Sequence, residues 1–333
     1  MVYGGDSSEW EISVLSGQNV ASHINRDRWQ VYEVFMRNNE WRVARFADGS
    51  LPCNEAILIN KNDFSFFLNH KKIRFDVVLV MIHGTPGENG ILQAYFESLH
   101  IPFTSSSSAV SSLAFDKYAC KCALRCAGIS MAKDMKLKKE DEVDEQVIVD
   151  ALGLPLFIKP NSGGSSFGAA KVVSVEELKP ALERTYRECP VVLIEEFVSG
   201  RELTNGMLKT ATQTVVLPVT EIVSNNSFFD YQAKYQGACL ELTPAPISNE
   251  LTESVHHLTS KVYDSLGCKG FVRVDYIVKG EEVVFLEINT IPGMTQMSLV
   301  PQQITAAGLS MTDFLDLLIQ DALYHSPQGS CSP

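Results

Sequence analysis

The chain has 333 residues, 45% hydrophobic and 20% charged, an ordinary globular composition with room for two or three domains. It has no apolar run of about 18 residues and no basic-then-apolar start, so neither a membrane span nor a secretory signal is expected. A net charge of −12 argues against nonspecific binding to nucleic acid or a membrane surface, so an anionic ligand has to be held by locally placed Lys and Arg.

Strand and helix signals alternate over the first hundred residues. Met1-Val2-Tyr3 runs into Gly4-Gly5-Asp6-Ser7-Ser8-Glu9, a Gly-rich turn followed by helix-start residues. Gln30–Arg37 and Trp41–Phe46 are short apolar runs, and Phe75–Ile82 reads as a continuous buried strand. This pattern predicts an α/β layer with an open parallel sheet, whose ligand groups lie in loops at the carboxyl ends of strands. Gly4–Glu9 and His83–Glu88 occupy such loops, which makes His83 a candidate functional residue.

A Ser-rich connector, Thr104–Ser112, leads to a helix around Lys117, which alone reads as a surface lysine. Cys120, Cys122 and Cys126 fall in that helix with no histidine or second cysteine pair nearby, which favours idle thiols over a metal site. The charged stretch Lys133–Glu145 is expected to be a solvated face or loop. Leu154–Pro160 is a predicted strand ending in Lys159, and Ala170–Val173 is another. The Gly163-Gly164-Ser165-Ser166 segment between them joins two strands, whereas Rossmann turns and P-loops open a helix. Such a hairpin is either a plain turn or a lid whose backbone N–H and hydroxyl groups cover phosphates, and Lys159 favours the lid.

Val191–Phe197 is a further strand carrying Glu195, with Glu202 seven residues on. Strand signals continue through Thr214–Val223, before the polar loop Ser224–Gly237, which holds Lys234 and Tyr235 among aromatic residues. Helices are expected over Ser248–Leu266 and Met311–Tyr324, with a frayed tail beyond.

Two neighbouring strands carry the strongest chemical signal. Residues i and i+2 of a strand share a face, so Glu287 and Asn289 present oxygen ligands side by side, as Arg273 and Asp275 share theirs. Hard cations such as Mg2+ take such oxygens and fill the remaining positions with water and phosphate. Three oxygen ligands and a guanidinium predict a phosphoryl-transfer site, and the second strand breaks at Pro292-Gly293 into a polar loop reaching Ser298, Leu299 and Pro301.

With these residues in view, the chain resembles the D-alanine–D-alanine ligases of the ATP-grasp superfamily along nearly its whole length. The matching pieces are Gly4–Glu9 with Ile12-Ser13, His83-Gly84 with Gly87–Gly90, Asp116-Lys117, and Ile158-Lys159-Pro160 with Gly164–Gly168. They continue through Ile194-Glu195, Glu202, Asp230–Tyr235, Gly267–Gly270, Arg273-Val274-Asp275 and Glu287–Pro301, in the family's order and spacing.

The resemblance implies an ATP-grasp fold, α/β (α+β overall), with an N-terminal open parallel-sheet, Rossmann-like domain over 1–103. A central subdomain with the phosphate lid would span 104–192, a C-terminal one 193–325, and a tail 326–333. Lys117 and Lys159 would contact ATP phosphates under Ser166 of the lid, and Lys234 would reach the γ-phosphate. Glu195, Phe197 and Val198 would hold adenine, largely through main chain, and Glu202 the ribose. Asp275, Glu287 and Asn289 would bind two Mg2+, with Mn2+ as the alternative ion. Glu9 and His83 would hold the first D-alanine, and Ser298 with Leu299 the carboxylate of the second. Ser165, Tyr235 and Glu9 would form a hydrogen-bonded set closing the site, and Arg273 with the Gly293 N–H an oxyanion hole.

Through the resemblance, the expected reaction joins two D-alanines by way of an acyl phosphate, for peptidoglycan precursors, in a homodimer of the bacterial cytoplasm. Relatives making D-alanyl-D-lactate often carry histidine where this chain has Tyr235, so D-alanine is the expected second substrate. Two departures stand out: the first strand is shorter than in relatives, either cut or truly short, and Glu196 stands where many have Lys or an apolar residue. The competing readings are an ATP-grasp ligase for other substrates, and a nucleotide-binding regulator without turnover.

Overall fold

The computed structural model describes residues 1–50, 56–142, 144–164, 167–224 and 239–325. The N-terminal unit comprises β1 (Val2–Gly4), α1 (Trp10–His23), β2 (Glu33–Arg37), β3 (Glu40–Arg45), the hairpin β4 (Phe66–Leu68) and β5 (Lys71–Ile73), and α2 (Ile91–Ser98). β1 runs parallel to β2, and β3 returns antiparallel. Phe75–Ile82 flanks β1 on its other edge, but as extended chain joined by single parallel bridges, Val80 to Val2 and Val78 to Phe103. The expected parallel layer is thus present with an antiparallel outer strand. The short first strand is held on both sides, since Val2 N–H donates to Leu79 O (2.9 Å) and Val34 N–H to Met1 O (2.8 Å).

A middle unit follows: α3 (Ser108–Phe115), α4 (Lys117–Cys126), β6 (Asp134–Lys138), α5 (Glu145–Leu152), β7 (Leu156–Pro160), β8 (Ala170–Val172), α6 (Val175–Thr185) and β9 (Val191–Glu196). Its antiparallel sheet has the order β6-β9-β7-β8. Ile148 of α5 and Leu178 of α6 cover it, packed with Leu156, Ile158, Val192 and Ile194. Each such side chain, fully buried, contributes about 1.5–3 kcal/mol.

Two expectations change here. The charged stretch holds β6, an edge strand with Leu137 buried and Lys136 and Lys138 exposed; charge on an edge discourages further pairing. A boundary at 192/193 would also cut β9, whose residues up to Glu196 pair with β6 and β7, so the middle sheet ends at Glu196.

The C-terminal unit contains β10 (Arg201–Lys209), β11 (Thr214–Val216), β12 (Thr220–Ser224), β13 (Cys239–Leu242), α7 (Asn249–Leu266), β14 (Gly270–Lys279), β15 (Glu282–Asn289), α8 (Leu299–Ala306) and α9 (Met311–Tyr324). Its sheet has the order β13-β12-β10-β14-β15, with β11 on β10. α7 starts at Ser248, whose side chain accepts from Leu251 N–H, and stops at Gly267, whose φ of 69° suits a left-handed cap. Its Val255, Val262 and Leu266 pack against Val272, Val274 and Tyr276, together with Ala114 and Leu124 of α3 and α4. α9 and α1 share a second core with Tyr3, Phe271 and Phe314, which joins the two outer units. No described helix is long and apolar enough to cross a membrane.

Candidate active site

Residues of all three units line one cavity of about 1270 Å³. Every sequence-predicted site residue that is described borders it: Glu9, His83, Lys117, Lys159, Glu195, Phe197, Val198, Glu202, Arg273, Asp275, Glu287, Asn289, Gly293, Ser298 and Leu299. Ser165, Ser166, Lys234 and Tyr235 lie outside the described residues.

The floor is β14 and β15, where the antiparallel register sets Asp275 opposite Glu287 and Arg273 opposite Asn289. Arg273 grips the Asp275 carboxylate with two bonds, Nε to Oδ1 at 2.9 Å and Nη2 to Oδ2 at 2.8 Å. Thr204 of β10 donates to Oδ1 at 2.5 Å, and Asn289 Nδ2 to Oδ2 at 3.1 Å. Burial opposes the Arg273 charge, but Asp275 and Glu287 outweigh it and hold the guanidinium protonated. The described residues contain no cluster of three or more His, Cys, Asp or Glu able to hold a metal. Two facing carboxylates and an amide are the ligand types of a hard cation that takes its other oxygens from water and phosphate.

The two predicted phosphate lysines enter from different elements. Lys117 is the first residue of α4, whose start is capped by Asp116 accepting from Ala119 N–H (2.9 Å). Its Nζ donates to Gly163 O at 2.6 Å and lies 4.0 Å from Glu287. Burial lowers its pKa, against the pull of Glu287. Lys159, at the end of β7, pairs with Glu195 at 2.7 Å. Burial would lower its pKa too, yet Glu195 and Glu287 more than compensate and raise it.

The Glu195 carboxylate is occupied by Lys159 and by Lys121 of α4, which also pairs with Asp134 at 2.8 Å. The Glu195 carboxylate is thus committed to lysines of the protein itself. Lys121, 1% exposed, went unnoticed because its partners are 13 and 74 positions away. Glu196 Oε1 accepts from Lys133 N–H (2.8 Å), so the departure from relatives serves a strand-to-strand contact.

The opposite end belongs to the N-terminal unit. Glu9 precedes α1, and its carboxylate lies against the glycine turn after β7: a Cβ on Gly164 would sit 2.6 Å from Glu9 Oε2. Buried His83 has Nδ1 2.9 Å from Ile291 O and Nε2 2.9 Å from Ser16 Oγ. A carbonyl only accepts, so Nδ1 carries the proton and Nε2 accepts from Ser16. Burial lowers the His83 pKa and keeps the ring neutral, against the influence of Glu9. Glu88 accepts from Gly84 N–H (2.7 Å), and burial, with Glu9 beside it, pushes its carboxyl up to about 8. Ser16, which no sequence motif singles out, is the hydroxyl behind His83.

The loop after β15 closes the floor. Ser298 N-caps α8 by position, yet its side chain makes no capping bond and pairs with Thr295 instead, Oγ accepting from Thr295 N–H at 3.0 Å. The first N–H groups of α8 keep their partial positive charge, a suitable seat for a carboxylate. Gly293 lies so close that a Cβ there would stand 2.9 Å from Ser298 Oγ.

A glycine turn, two lysines and facing oxygen ligands, set between two antiparallel sheets, define an ATP-dependent ligase of the ATP-grasp fold. The chain belongs to the D-alanine–D-alanine ligase family. The family models described as D-ala D-ala ligase N-terminus and C-terminus match residues 1–106 and 124–320. The chain is 46% identical to the D-alanine–D-alanine ligase of Phocaeicola vulgatus over 96% of its own length and 98% of that protein's. Among solved structures it is similar to the VanG D-Ala:D-Ser ligase of Enterococcus faecalis (TM-score 0.85, 32% identity, 96% of this chain and 98% of that one). It is also similar to the Bacillus anthracis D-alanine–D-alanine ligase complexed with ATP (TM-score 0.76, 26% identity, 98% and 97% covered).

Proposed function

We propose that the protein joins two D-alanine molecules to D-alanyl-D-alanine, converting ATP to ADP and phosphate through a D-alanyl phosphate. The observation that carries this reading is that one strand and its loop, Glu287 to Leu299, border the cavity together with Glu9, His83 and both lysines. Amide formation from a free carboxylate is uphill in water, so the carboxylate has first to be activated.

In this reading Glu9 takes the ammonium of the first D-alanine, and neutral His83 lies beside its carboxylate, which attacks the γ-phosphate. Lys117 and Lys159, with Lys234, neutralise the phosphates beneath the lid residues Ser165 and Ser166. Glu195, Phe197 and Val198 hold the adenine and Glu202 the ribose. Asp275, Glu287 and Asn289 would hold two Mg2+, or Mn2+, which neutralise phosphate charge when bound. The α8 N-terminus with Ser298 and Leu299 seats the carboxylate of the second D-alanine, whose amine attacks the acyl phosphate carbonyl. Arg273 and Gly293 N–H stabilise the oxyanion that forms, and phosphate leaves. Glu9, Ser165 and Tyr235 would tie the covering loops together and keep water from the acyl phosphate.

The same reading takes the enzyme as a homodimer of the bacterial cytoplasm that supplies peptidoglycan precursors, with no nucleic-acid or membrane partner. Its three folding units are 1–103, 104–196 and 197–325, the second division moved to keep β9 whole.

Phosphate release from ATP and Mg2+ tests the function, with D-alanine, L-alanine or no amino acid, and with D-serine or D-lactate added as competing acceptors. Release that depends on D-alanine and yields the dipeptide is expected. Release independent of D-alanine overturns the reading, and efficient depsipeptide formation at neutral pH overturns the choice of acceptor.

A further inference from the structure

Beside Val20 and Ala21, which join the apolar core, α1 buries a row of polar residues. Ser13, Ser16 and Asn19 recur at intervals of three on one face, exposed by 0%, 0% and 8%. Ser13 seats the helix: its Oγ accepts from Gly4 N–H (2.8 Å) and donates to Met81 O (2.6 Å). The other two reach a different unit. Ser16 Oγ accepts from Met294 N–H at 3.2 Å, and Asn19 Nδ2 donates to Met294 O at 2.7 Å.

Both main-chain groups of Met294 are thereby held by one helix, immediately after Gly293. On the other side of Pro292-Gly293, the carbonyl of Ile291 is held by His83, which itself bonds to Ser16. Pro292 has its φ fixed by its ring, whereas glycine is the residue whose backbone varies most freely. Fixing the peptides before Pro292 and after Gly293 leaves the Gly293 N–H little room to turn. Asn19 Oδ1 is buried with no hydrogen-bond partner among the described residues. A buried unpaired acceptor weakens a fold, so stability alone gives a poor reason for an amide here.

We infer that Ser16 and Asn19 are positioning residues for the amide-forming step, aiming the Gly293 N–H through Met294 while Ser16 orients His83. Neither side chain needs to touch a reacting atom. The ring His83–Ser16–Met294–Ile291 joins the first amino-acid site to the loop that leads to the second. This inference rests on the reading of Gly293 and His83 given above.

The test uses the full-length enzyme with Asn19→Leu, close in shape but unable to donate, and Ser16→Ala. Losing an oxyanion donor outright costs roughly 10²–10³-fold in kcat, and a misaimed one is expected to cost about 10–100-fold. The loss should fall on kcat and on KM for the second D-alanine, with KM for ATP unchanged. The urea unfolding midpoint of Asn19→Leu should stay near the wild type, because losing the unpaired Oδ1 offsets the newly unpaired carbonyl of Met294. Wild-type kcat and KM in both variants overturns the inference, as does a loss that merely follows lowered stability. Should Asn19→Leu fail to fold, Ser16→Ala alone decides by the same split between kcat and KM. If the wild type forms no dipeptide, the functional reading fails and the inference with it; an active wild type with unaffected variants sinks the inference alone.

Discussion

The two ends of the cavity carry charge in opposite ways. Toward the middle sheet, Lys159, Lys121 and Glu195, with Asp134 and Arg125, form a chain in which each charge touches an opposite one. Lys159 is raised and Glu195 lowered, so both stay ionised despite burial. Where the N-terminal unit meets the start of α4, burial dominates: Glu88 is pushed up to about 8, while His83 and Lys117 are pushed down. In the first region the protein balances its own charges: Lys121, Glu195 and Asp134 behave as scaffold, and Lys159 is kept charged at the cavity edge. The second holds groups away from their ordinary ionisation, the condition of a place completed by a charged substrate.

Removing a cation from each side should break the comparison if it is wrong. Lys121→Met leaves the buried Glu195 and Asp134 short of one counter-charge, and unfolding free energy in urea is expected to drop by about 3–5 kcal/mol. A drop below about 1 kcal/mol would show that the chain of pairs is not the scaffold. Lys117→Met should do the reverse, because burial already disfavours its charge. Its stability should stay within about 1 kcal/mol of wild type while turnover slows roughly 10²–10³-fold. Equal damage to stability and turnover in the two variants would erase the distinction.

Gly293→Ala sharpens the amino-acid side. The new Cβ would meet Ser298 Oγ at 2.9 Å and shift either the proposed donor or the proposed seat of the second substrate. A loss of about 10–100-fold is expected, expressed in kcat and in KM for the second D-alanine, with ATP affinity retained.

The smallest effect concerns Glu88. Its folded pKa, about 8, lies above the ordinary 4.5, so the folded state binds the extra proton between those values. The stability from that proton is fully present below pH 4.5 and is lost as pH rises toward about 8. Between pH 6 and 7 the wild type should lose about 1.4 kcal/mol relative to Glu88→Gln, followed by urea unfolding at each pH. Parallel pH curves for the two proteins would show that Glu88 ionises normally.

Local chemistry made part of this readable from the chain. Arg273, Asp275, Glu287 and Asn289 could be paired because alternation along a strand is set by the backbone and needs no knowledge of the rest of the fold. The helix Met311–Tyr324 was likewise visible from its periodicity, and the strand ending in Lys159 from its apolar run. β10 was missed: Thr204 and Asn205 interrupt its apolar pattern, and both are buried because Asp275 and Leu217 O accept from them. β6 was hidden by the lysines that an edge strand tolerates.

Short-range geometry aligns the groups that the amino-acid order makes legible: the paired polar residues of β14 and β15, the lysines, the glycine turns and, through resemblance, the family. What those groups lean on is set by folding. Lys121 is a surface lysine until Glu195 and Asp134 close around it, and Ser16 and Asn19 are ordinary helix residues until Met294 arrives from 278 and 275 positions away. A buried polar group takes its meaning from the partner that satisfies it, and that partner is chosen by folding rather than by neighbours in the chain.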